Sequence, residues 1–121
     1  MPAANKNILI EQGVTFQWTQ LLLDGQGANA PAMDLTGYSA RMQIRSEIDS
    51  ALALVTLSSA PGGGILLDGV SGMLEIEISA AATSALNFEG AVYDLELVQP
   101  DGKVLRLFKG AVSLSLEVTR L

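Results

Sequence analysis

Apolar and polar residues alternate with a period of two along most of this chain, the spacing of strands that are buried on one face and wet on the other. Tyr38–Arg45 shows it most clearly: Tyr38, Ala40, Met42 and Ile44 fall on one face, and Ser39, Arg41, Gln43 and Arg45 on the other. A slip of one residue would carry Arg41 and Arg45 into the core, so this strand has one allowed register. Met73–Ser79 repeats the pattern with Leu74, Ile76 and Ile78 inward and Glu75 and Glu77 outward. After Gly90, Tyr93, Leu95 and Leu97 alternate with Asp94 and Glu96. Ala111–Arg120, set off by Gly110, alternates Val112, Leu114, Leu116 and Val118 with polar residues and predicts a strand that runs to the end of the chain.

Other runs are shorter or apolar on both faces. A flexible lead, Met1–Lys6, is followed by a predicted strand at Asn7–Glu11. Val14–Leu23 places Val14, Phe16, Trp18 and Leu22 on one face, and this alternation with Phe16 favours Trp18 as a core anchor between two sheets over an exposed hot-spot residue. Leu21–Leu23 and Ile65–Leu67 are apolar whichever way they face. Such stretches lie either between layers or at a subunit contact, so Leu21, Leu22, Leu23, Ile65, Leu66 and Leu67 are candidate interface residues. Arg120 joins them, because arginine is enriched at protein contacts.

Turn chemistry divides these runs. Asp34-Leu35-Thr36-Gly37 suits a tight turn, since an Asp side chain bonds the backbone ahead of it and Gly tolerates positive φ. Asp24–Met33 reads as a long loop, Pro61–Gly64 and Asp68-Gly69 as breaks, and Pro100–Lys103 as the turn of a hairpin into Val104–Phe108. Ser46–Leu52 is compatible with a helical turn, and Ala51–Leu57 resumes as a strand. Ser79 caps an alanine-rich segment, Ala80–Leu86, that predicts one short helix. The sum is an all-β fold: an antiparallel β-sandwich, immunoglobulin-like or jelly-roll, with one short helix, formed by residues 7–121 as a single domain behind the 1–6 lead. A closed barrel is the alternative.

Composition narrows the chemistry. The 121 residues include no cysteine and no histidine, so disulfides, thiol nucleophiles, Cys/His zinc sites and imidazole catalysis are excluded. Thirteen acids against seven bases give a net charge of −6 with the bases scattered, unlike a surface that tracks phosphates, so no nucleic-acid partner is expected. Residues 1–7 hold one lysine and no long apolar run follows, which fits neither a secretory signal nor a membrane span and predicts a chain made and kept in the cytoplasm.

Each candidate site has a plainer reading. Glu75, Glu77, Asp94 and Glu96 could serve glycoside hydrolysis or calcium, yet acids on a solvated strand face are ordinary. Asp24-Gly25, Asp68-Gly69 and Asp101-Gly102 are turns without calcium-loop spacing, and Gly62-Gly63-Gly64 lacks the Lys-Ser/Thr of a phosphate loop. Ser58, Ser59 and Ser84 have no histidine to activate them. No catalytic residue, cofactor or metal is expected.

Four stretches in order, Gln12–Phe16, Asp34–Arg45, Tyr93–Leu97 and Gly110–Arg120, together resemble small bacteriophage virion proteins. The Asp34-Leu35-Thr36-Gly37 entry is similar to the N-terminal β-sandwich domain of phage baseplate upper proteins, which attaches receptor-binding parts to the tail. Those proteins continue into a coiled stalk, whereas no heptads follow here. The resemblance therefore implies the sandwich alone, an adaptor or connector of tail, neck or baseplate that docks other virion proteins and forms homo-oligomers in the particle. It carries no catalytic residues, and it implies a virion location after synthesis in the host bacterial cytoplasm, with no membrane partner. A head decoration protein that cements capsid subunits is the alternative. A carbohydrate-binding or hydrolytic module using the outer acids is a third reading, weakened because alternation turns Trp18, Tyr38 and Tyr93 inward.

Overall fold

The structure, a computed structural model, describes residues 3–25, 27 and 29–119. Its strands are β1 (Ala4–Asn5), β2 (Ile8–Glu11), β3 (Phe16–Leu21), β4 (Ser39–Arg45), β5 (Val55–Ser58), β6 (Ile65–Asp68), β7 (Met73–Ile78), β8 (Gly90–Val98) and β9 (Val104–Ser115). They form a six-stranded sheet in the order β1-β9-β8-β4-β5, with β2 also on β9, and a three-stranded sheet in the order β3-β7-β6. The alternation read from the sequence decides which side chains lie between them. Ala40, Met42, Ile44, Tyr93, Leu95, Leu97 and Val112 from the large sheet meet Trp18, Leu74, Ile76, Ile78 and Ile65 from the small one. This is an all-β sandwich-like fold.

Local chemistry sets the crossings between sheets. The carboxylate of Asp34 accepts from the Thr36 amide and hydroxyl, and the Tyr38 amide donates to Leu35 O at 3.0 Å, with Gly37 at φ +80°. The hydrogen-bonded turn is thus Leu35–Tyr38, and Asp34 braces it from outside. Those two bonds also hold the Asp34 carboxyl below its ordinary value. At the crossing from β7 to β8, the Ser79 hydroxyl accepts from Ala82 N and starts α1 (Ala80–Ser84), the expected helix. Thr83 on α1 is fully buried; its hydroxyl accepts from Gly13 N at 3.0 Å and lies 2.9 Å from Val14 O, tying the helix to the β2–β3 turn.

Several boundaries differ from expectation. The sandwich is antiparallel except at its N-terminus, where β1 and β2 both run parallel to β9. Consequently the segment expected to lead freely into the first strand joins the sheet from Ala4, paired with Phe108. Gly110 does not interrupt the last strand: β9 runs through it, and Gly110 is there because an added Cβ would strike the Lys6 carbonyl. Nor does β9 continue to the end of the described chain. Its partner β2 stops opposite Ser115, and beyond that Leu116 and Val118 are exposed despite their alternation. Ser46–Leu52 forms bends and turns without a helix, and the strand expected from Ala51 starts only at Val55, because β4 ends at Arg45 and offers nothing to pair with. Val14, expected inward, is exposed ahead of β3.

Candidate functional site

Trp18 is the expected core anchor. It packs edge-on against Phe108 at 5.2 Å and Tyr93 at 6.2 Å between ring centroids, with Lys6 Nζ over its ring at 5.3 Å. The candidate surface must therefore be sought elsewhere.

The predicted interface residues divide between core and surface. Leu22 and Ile65 are buried, and Leu67 packs partly against the core. Leu21, Leu23 and Leu66 are exposed. Strand pairing brings Leu21 and Leu66 onto the outer face of the small sheet, diagonally across β7, where Met73 is opposite Leu21 and Glu75 opposite Leu66. A both-faced apolar run thus supplies alternate residues to core and surface. Arg120 lies outside the described residues.

Sequence reasoning missed one exposed apolar group. The β4–β5 loop carries Ile48 at 87 % exposure and Leu52 at 82 %, with Leu54 also exposed. The loop is held in shape by Ser50 N to Glu47 O, Ser50 Oγ accepting from Glu47 N, and Arg45 Nη1 to Ser50 O at 2.7 Å. Reading 46–52 as a helical turn and 51–57 as a strand assigned these side chains to regular elements and so hid them. The available signal was Ile48 standing alone among polar neighbours, Glu47, Asp49 and Ser50.

The four carboxylates singled out from alternation do not converge. Glu75 and Glu77 project from the small sheet and Asp94 and Glu96 from the large one, on opposite outer faces of the sandwich. Asp94 and Glu96 are in ion pairs, Arg106 Nε–Asp94 Oδ2 at 3.4 Å and Arg41 Nε–Glu96 Oε1 at 2.7 Å. Glu77 accepts from Gln17 Nε2 at 2.9 Å. Among the described residues, no three His, Cys, Asp or Glu side chains are grouped to hold a metal ion. Ser58 and Ser59 accept from the backbone amides of Ala60 and Ala40, and Ser84 donates to Ala81 O, so these hydroxyls brace turns and the helix. No helix among the described residues is long and apolar enough to cross a membrane.

Two further surfaces are candidates beside the β4–β5 loop and the outer face of the small sheet. The outer face of the large sheet holds a shallow concavity of about 690 Å³, lined by Arg45, Ile48, Val92, Arg106, Lys109 and Ala111 among others. One edge strand of the small sheet is β3, with β7 on its other side. Because the Leu22 amide points across to Gly72 O, the backbone groups of Leu21, Thr19 and Gln17 alternate to the open side. Such an edge can accept an added strand. No protein-family model matches the chain, and no curated protein matches it.

Proposed function

We propose that this chain is a non-enzymatic structural protein of a bacteriophage particle, an adaptor of tail, neck or baseplate that holds other virion proteins in place. The observation that carries the docking part of this reading is the β4–β5 loop, which exposes Ile48 and Leu52 from a hydrogen-bonded frame. Fully burying a side chain of this size is worth about 1.5–3 kcal/mol, and these two leave most of that unrealised in the isolated chain. A partner that covers the loop recovers it. The open β3 edge supplies backbone groups for the same purpose. The phage assignment itself rests on the resemblance carried by Gln12–Phe16, Asp34–Arg45, Tyr93–Leu97 and Gly110–Arg120.

Quantitative mass spectrometry of purified particles tests the reading. The chain is expected among the virion proteins at the low copy number set by tail symmetry. Its absence from particles removes the proposal, and a copy number matching the capsid shell moves the site to the head, as a cement protein.

A further inference from the structure

The two outer faces of the sandwich carry opposite charge. Arg41, Arg45, Arg106 and Lys109 stand on the outer face of the large sheet, with Asp94 and Glu96 between them and Glu11 at its far corner. Arg41 and Arg106 are matched by those two central acids. Among the described residues Arg45 and Lys109 are in no carboxylate ion pair: Arg45 donates to Ser50 O and Gln43 Oε1, and Lys109 is opposite Asp94, whose carboxylate goes to Arg106. Both flank the concavity, with the apolar Val92, Ala111 and Ile48 beside them. On the small sheet the outer face shows Asp68, Glu75 and Glu77 beside Leu21, Leu66 and Met73, with no Lys or Arg on its strands. Glu75 and Glu77 are in no ion pair among the described residues.

We infer that the large-sheet face of one copy receives the small-sheet face of a second copy, Glu75 and Glu77 of the incoming chain meeting Arg45 and Lys109, with Leu66 and Leu21 against Ile48, Val92 and Ala111. Each face holds an apolar patch and charges in no ion pair among the described residues, and the two sets are complementary in sign. The faces are different surfaces on opposite sides of one molecule. The contact is therefore head-to-tail: it leaves both outer faces of a pair free and propagates into a ring or stack, where a two-fold dimer would stop. This inference concerns the isolated chain and does not rest on the virion reading, which particle composition tests separately.

Sedimentation velocity of the full chain over a concentration series tests it. At low salt the mass is expected to grow with concentration beyond a pair, and at high salt the association constant to fall about tenfold or more. Glu75→Gln with Glu77→Gln, and separately Arg45→Gln with Lys109→Gln, should each stay monomeric. Mixed in equal amounts they should form a two-chain particle and nothing larger, since each keeps the one face the other has lost. Wild-type chain that stays monomeric at low salt overturns the inference. So does association insensitive to salt, association that either double variant retains, or a mixture that does not pair. The altered side chains are outside the core, and circular dichroism confirms the fold of each variant; if one unfolds, the wild-type salt series decides.

Discussion

The hydroxyl of Tyr93 donates to the backbone carbonyl of Lys6 at 2.6 Å, drawing that carbonyl out of the parallel ladder between the N-terminus and β9. In a regular parallel ladder Ala111 N would bond the Lys6 carbonyl. Here it bonds Asn7 Oδ1 at 3.0 Å instead, so a side chain repairs the gap. The displaced carbonyl sits where a Cβ of residue 110 would lie, and only glycine fits. Lys6 N meanwhile keeps its bond to Lys109 O at 2.8 Å.

Tyr93→Phe leaves the Lys6 carbonyl without this donor while keeping the ring against Trp18. The expected loss is about 1–3 kcal/mol in urea unfolding. Amide exchange at Lys6 and Ile8 should quicken more than in β4. Equal stability of the two proteins would show that the bond contributes nothing.

Burial pushes the Tyr93 hydroxyl up to about 12 from its ordinary 10.0. A raised folded value means that the unfolded chain loses this proton first. The Tyr93 contribution to stability is therefore full below pH 10 and is lost as pH rises towards 12. The difference in stability between wild type and Tyr93→Phe should hold constant up to the lower of those values and shrink above it. Chemical denaturation across that range reads it directly, and a difference that grows with pH contradicts the assignment.

Gly110→Ala should force β1 and the Lys6 carbonyl away from β9, at a cost of about 1–3 kcal/mol. Gly90→Ala, in β8 with open space around it, is the control and should be neutral or slightly stabilising. Thermal melts of the two variants that coincide would refute the steric argument.

Thr83→Val keeps the shape of a fully buried side chain and removes the hydroxyl that serves Gly13 N and Val14 O. A loss of about 1–3 kcal/mol is expected, and Thr83→Ser should recover most of it. Failure of serine to do so would assign the effect to the methyl group's packing.

Ile48→Ser and Leu52→Ser should leave the unfolding free energy of the isolated chain within about 0.5 kcal/mol, because these side chains touch solvent rather than core. If the loop is a docking element, the same variants should be incorporated poorly into particles. A large stability loss in the isolated chain would instead place the loop in the fold's own packing.

Alternation settled the all-β class and the inward faces of β4, β7 and β8, and local side-chain chemistry the Ser79-capped helix and the turn beside Asp34, which closes one residue later than expected, at Leu35–Tyr38, because each follows from contacts between near neighbours in sequence. The same rule failed at Leu116 and Val118. Their pattern is that of a strand, but a strand needs a partner, and β2 has already ended opposite Ser115. The rule put Leu22 on the Trp18 face, where the structure buries it, but could not orient Ile65–Leu67, where Ile65 went inward and Leu66 outward only once pairing with β7 had set the parity. Pairing of the N-terminus with β9, the exposed Ile48 and Leu52, and the separation of charge onto opposite faces are likewise tertiary facts. Each depends on which distant segments lie side by side, and a period of two, which says only that a residue faces one way or the other, does not encode the neighbour it faces.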